Sequence, residues 1–219
     1  MATMLLDAIQ HGLALLYEAP IAHSVSDFLV TDAAVARALE APDAARNNAE
    51  RLLLRQTDDS LDITLFVDAD ILDKLGEHDP YQSLRADNLN DFLIALEGVS
   101  HFHYLVWNAQ HHRQVTQLEM ELQAEVDKFV TAMMLLDEQG HDTDAGAVHD
   151  TLFNAVRFDS DIDAECGQRY REANHYAAKY CRGLSRRHPA HHRAPSFLNE
   201  VRRFYRLAQN DKIRASDQR

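Results

Sequence analysis

SHFHYLVWNAQHHRQ, residues 100–114, holds four histidines and the chain's only tryptophan, and the fold turns on its secondary structure. On a strand, His101, His103, Leu105 and Trp107 share one face while Phe102, Tyr104 and Val106 take the other. On a helix each residue turns by about 100°, so His101 and His103 would diverge by about 200°. The aromatic and β-branched content that follows Gly98 favours the strand. The period changes near Asn108, which leaves His111 and His112 to open a helix.

The strand reading fits a hairpin upstream. Leu61, Ile63, Leu65 and Val67 alternate with Asp62, Thr64, Phe66 and Asp68, and Thr57 to Ser60 supply turn residues before them. Two strands alone are marginally stable in water. Residues 52–56, 61–67 and 100–107 are therefore expected to form a small three-stranded antiparallel sheet.

Outside these segments the period is helical. Leu6, Ile9, Leu13 and Leu16 mark a helix over Thr3 to Glu18, and residues 24–49 read as short alanine-rich helices. Val115, Leu118, Leu122, Val126, Phe129, Met133 and Leu136 predict a long helix over about 110–138 that stops at Gly140. Cys166, Tyr170, Ala173, Ala177, Tyr180 and Leu184 predict a second over about 161–182. The expected fold is α+β and predominantly helical, the sheet packed against a helical layer.

The 219 residues carry 35 Asp and Glu against 22 Lys and Arg, a net charge of −13. Residues 1–181 hold 32 acidic and 12 basic side chains; residues 182–219 hold 3 and 10. This divides the chain into one acidic domain (1–182), a basic linker (183–195) and a basic C-terminal helix and tail (196–219). So acidic a body excludes nucleic-acid binding over the whole surface. Only the tail, through Arg186, Arg187, Arg193, Arg202, Arg203 and Arg206, is suited to an anionic partner such as RNA, a membrane or an acidic protein. Charge complementarity favours instead the docking of this positive helix, by its apolar face, on the strongly negative body, and both can be partly true. No window reaches the roughly 20 apolar residues of a membrane span, and Asp7, Gln10 and His11 interrupt the N-terminal segment, so a cytoplasmic location is expected. Cys166 and Cys181 on one helix stand about 22 Å apart, too far for a disulfide.

Chemical motifs are sparse. With 7 glycines there is no phosphate-cradling loop, and neither a nucleophile elbow nor a Cys-x-x-Cys pair occurs. His101 and His103 on one strand face could hold zinc or iron if a carboxylate such as Glu119 or Glu172 arrived from a helix. Glu172 and His175 have the Glu-x-x-His spacing of di-iron bundles, but a stripe through Ala173 and Ala177 turns His175 outward. Asp68 and Asp70 after an apolar strand suit magnesium, or more simply a helix cap. Asp159, Asp161 and Asp163 begin like a calcium loop that fails at Ala164 and Tyr170.

These features favour a binding or regulatory protein acting through protein contacts, self-associating through the 110–138 stripe or the terminal helix. The alternative is a metal-dependent enzyme built around His101 and His103. A weaker alternative is an RNA-binding accessory that uses the tail.

Overall fold

The computed structural model describes residues 2–40, 48–56, 61–141, 144–154, 164–189 and 194–218. The turn at 57–60, the acidic run 159–163 and Arg193 lie outside these residues. Among the described residues the fold is predominantly helical with one small sheet.

The hairpin is present as β2 (Glu50–Gln56) and β3 (Leu61–Val67), antiparallel with Leu52 opposite Leu65. The third strand is not 100–107. It is the two-residue β1 (Leu29–Val30), parallel to β3, which makes the sheet mixed in the order β1-β3-β2. Residues 100–107 instead lie inside a 22-residue helix spanning Leu89–Gln110.

Numbered in chain order, the helices are α1 (Ala2–Tyr17), α2 (Ala33–Leu39), α3 (Ala69–Glu77), α4 (Leu89–Gln110), α5 (Gln117–Glu138), α6 (Ala145–His149), α7 (Ala164–Arg187), α8 (Pro195–Tyr205) and α9 (Gln209–Asp217). The long helix expected from 110 starts seven residues later, where Thr116 accepts the Glu119 amide at 3.1 Å as N-cap. α7 continues through Arg187, so residues 183–187 are helix rather than linker. Asp68 caps α3 by accepting the Asp70 amide at 2.9 Å, the bland reading of the Asp68 and Asp70 pair.

α4 explains the failed strand. It packs against α1, α3, α5, β2 and β3, and Phe92, Leu96, Val99, Phe102, Tyr104, Val106 and Trp107 are all buried. A helix covered on every side shows no polar stripe and no amphipathic period. Its propensities then resemble those of a strand. The helix closes where His112 takes a left-handed conformation (φ 53°) and the Arg113 amide reaches the Asn108 carbonyl at 3.0 Å.

The C-terminal helices are part of the core. Phe197, Val201, Phe204 and Tyr205 of α8 are buried, and Tyr205 stacks on Tyr17 with ring centroids 4.2 Å apart. Arg202 donates to the Leu16 carbonyl at 2.8 Å and pairs with Glu18 at 2.7 Å, while Arg206 donates to the Tyr17 carbonyl at 2.9 Å. The basic tail therefore caps the C-terminal end of α1, where cations complement the helix dipole. Cys166 and Cys181 are buried thiols on α7.

Candidate metal centre

His101 and His103 part as a helix requires. His103 points to the α1 and α8 side, donating from Nε2 to the Ala19 carbonyl at 2.9 Å and accepting at Nδ1 from the Tyr205 hydroxyl at 3.0 Å. Both ring nitrogens are used. Burial pushes the imidazole down to about 4, which keeps it neutral. His103 is thus a core hydrogen-bonding residue, not a ligand paired with His101.

His101 faces the other way, into a cluster of carboxylates. Its Nδ1 lies 3.7 Å from Glu50 Oε1 and its Nε2 lies 3.5 Å from Glu121 Oε2. These are ion contacts too long for hydrogen bonds. Glu97, one turn before His101 on α4, completes a group in which Glu50, Glu97 and His101 each bring a ligand atom to within 4.8 Å of the others, and which could hold a metal ion. Three elements supply the parts: β2 gives Glu50, α4 gives Glu97 and His101, and α5 gives Glu121, Glu125 and Lys128.

Gly98 makes the convergence possible. A Cβ at that position would stand 2.7 Å from Glu50 Cγ and 2.9 Å from Leu65 Cδ1. Only a residue without a side chain lets β2 lie this close to α4. The glycine that reads in sequence as a break before a strand is a site of close approach inside a helix.

The electrostatics are those of a buried, acidic cage. The side chains of Glu50, His101 and Glu121 retain only 11%, 9% and 12% exposure. Burial raises the Glu50 carboxyl, against the pull of His101. Burial alone would depress His101, but Glu121 and Glu50 override it and raise the imidazole well above its ordinary range. Lys128 Nζ lies 2.6 Å from Glu97 and 2.8 Å from Glu125. Burial raises the Glu97 carboxyl too, but Lys128 and His101 outweigh it and hold it low. Glu50 Oε1 and His101 Nε2 have no hydrogen-bond partner although both atoms are buried. Buried polar atoms are seldom left so.

The other expected ligands lie elsewhere. Glu172 is half-buried and accepts from Gln168 at 3.1 Å, His175 is exposed, and neither joins the group around His101. Glu119 is buried against Tyr104, whose hydroxyl donates to it at 2.6 Å. Of the expected anion-binding arginines, Arg202 and Arg206 are tied to α1, Arg187 donates to Glu200 at 3.1 Å, and Arg186 and Arg203 are exposed.

A second polar cluster lies between α1, α4, α5 and α9. Asp127 accepts from Tyr17 at 2.5 Å, Ser100 at 2.6 Å and Gln123 at 2.7 Å, and Lys212 donates to Gln123 and to the Phe204 carbonyl at 2.9 Å. Burial raises Asp127 to about 6 and lowers Lys212 to about 7. Every hydrogen-bonding group named here has a partner, so the cluster reads as a lock on the C-terminal helices.

Comparison of the chain with protein-family models, with curated proteins and with solved structures finds no match in any of the three. No helix among the described residues is long and apolar enough to cross a membrane.

Proposed function

We propose that this chain is a divalent-metal-binding protein, with Glu50, Glu97 and His101 as the protein ligands and Glu121 as the carboxylate that orients the imidazole. The observation that carries the reading is the convergence of three ligating side chains at a buried point, where Glu50 Oε1, facing His101 Nδ1, lacks a hydrogen-bond partner. One imidazole and two carboxylates suit zinc or iron(II). Metal-bound histidine usually donates its second ring N–H to a carboxylate, and Glu121 faces the nitrogen opposite Glu50. Ligation through Nδ1 requires a neutral ring, so loading releases the proton that the apo cluster keeps on His101. Three protein ligands leave a coordination position for water, the arrangement of catalytic rather than structural zinc.

Metal analysis of tag-free protein tests the reading. One equivalent of zinc or iron is expected in the wild type and less than about a tenth of that in His101→Ala, with His103→Ala retaining it. Unchanged metal in His101→Ala would sink the proposal.

A second reading, action through protein contacts, has one specific support. Met4 and Leu15 are 72% and 62% exposed on α1, and eleven residues is close to three turns, so they share a face. The two stripes expected to self-associate are covered within the chain, since Leu122, Val126, Phe129, Phe197, Val201 and Phe204 are all buried. Light scattering on the wild type and on Met4→Glu/Leu15→Glu decides. Monomers in both discard self-association through this face.

A further inference from the structure

Lys128 lies beside the candidate ligands and already makes the contacts of a cation. Its Nζ lies 2.6 Å from Glu97 Oε2 on α4 and 2.8 Å from Glu125 Oε1 on α5, with the side chain 13% exposed. Glu97 is also one of the three residues that converge with His101. One carboxylate therefore faces two positive positions, one by His101 and Glu50, the other filled by an ammonium group. Glu97 and His101 are four apart on α4, as are Glu121 and Glu125 on α5, so each helix turns two ligand-type side chains to the same side.

We infer that Lys128 occupies the second cation position of a two-metal carboxylate cage, which restricts the chain to one divalent ion. This rests on the metal-binding reading above. Charge supports it. Glu50, Glu97, Glu121 and Glu125 supply four negative charges, which two divalent ions would neutralise. One divalent ion plus the lysine leaves a residual charge of about −1. Carboxylates shared between two ions about 3.5–4 Å apart are the usual construction of two-metal sites, and Glu97 stands where such a bridge would be. Lysine at this position thus sets stoichiometry and specificity: it competes for Glu97 and disfavours a second ion.

The test uses the intact 219-residue chain with Mn(II) and, separately, Zn(II), read by native mass spectrometry, with electron paramagnetic resonance on the manganese forms. The wild type and Lys128→Arg, which keeps the charge, are expected to bind one ion. Lys128→Met is expected to bind two, with the spectrum of a coupled manganese pair, and Lys128→Met/Glu125→Gln to return to one. Removing one partner of a buried ion pair destabilises, so stoichiometry is read on protein folded in the presence of metal. If Lys128→Met does not fold even then, Lys128→Gln, which keeps a hydrogen-bond donor, takes its place. One ion in both the wild type and the charge-removing variant overturns this inference and leaves the single-metal reading standing. No ion in either overturns the metal reading itself.

Discussion

Replacing Gly98 by alanine sets two effects of known size against each other. In an unobstructed helix interior the change stabilises by about 1 kcal/mol, because alanine loses less backbone entropy. At this position the new methyl would meet Glu50 Cγ at 2.7 Å, Leu65 Cδ1 at 2.9 Å and Glu50 Oε1 at 3.1 Å. Carbon atoms do not stand that close without something moving. Leu65 can swing its terminal methyl, but Glu50 Cγ lies only one bond beyond Cβ, so clearing it takes either a χ1 change that carries the carboxylate away from Glu97 and His101 or a separation of strand and helix. Forcing a methyl into a packed contact costs typically about 1–3 kcal/mol, which outweighs the helical gain. The expected result is a net loss of about 1 kcal/mol and a melting temperature lower by about 2–4 °C in a chain of this size. Because the displaced group is a proposed ligand, metal affinity should fall by at least about tenfold, more than the stability loss alone explains. Gly76 in α3 is the control, since nothing lies within 4 Å of its virtual Cβ, and Gly76→Ala should be neutral or gain up to about 1 kcal/mol. Chemical denaturation of both variants with metal titration is the assay. If Gly98→Ala matches Gly76→Ala in stability and keeps wild-type affinity, the close approach of β2 to α4 is wrong.

Three further outcomes follow from the buried network and the core. Burial holds Lys212 near 7 in the folded chain against 10.5 ordinarily, so between these values the unfolded chain binds the extra proton and stability rises with pH. The wild type should therefore gain about 2 kcal/mol relative to Lys212→Met between pH 7 and pH 9; parallel curves would show that Lys212 does not sit in a desolvated site. Tyr205→Phe keeps the ring stack on Tyr17 but strips His103 Nδ1 of its 3.0 Å donor, and a loss of about 1–3 kcal/mol in denaturant titrations is expected. Cys181 is fully buried and burial pushes its thiol well above the ordinary value, so a thiol reagent should modify it only at the rate of unfolding; fast labelling of native protein would contradict the packing of α7.

Features whose cause is local were readable from local sequence. The alternation of Leu61, Ile63, Leu65 and Val67 marks β3, the stripe from Leu118 to Leu136 marks α5, and the small-residue face through Ala173 and Ala177 turns His175 to solvent, all as found. Each depends on residues within a turn or two and on one apolar face. The 100–107 segment broke the rule because α4 has no solvent face to reveal its period. Had it been read as a helix, Glu97 and His101 would have appeared as a pair one turn apart, and His103 would have been set aside.

The amino-acid sequence by itself determined a predominantly helical α+β chain, its hairpin, most of its long helices and the charge contrast between body and tail. Only the tertiary structure decided which charges meet. Glu50 reaches Glu97 and His101 across 47 and 51 residues because β2 lies on α4 at Gly98. α5 folds back to bring Glu121, Glu125 and Lys128 to the same point. The tail, which its charge already favours as docked on the acidic body, closes specifically on α1 because its aromatic face is worth more buried than its arginines are in solution. Long-range packing selects among contacts that local periodicity leaves equally open, so the buried cage is a product of the fold rather than of any motif.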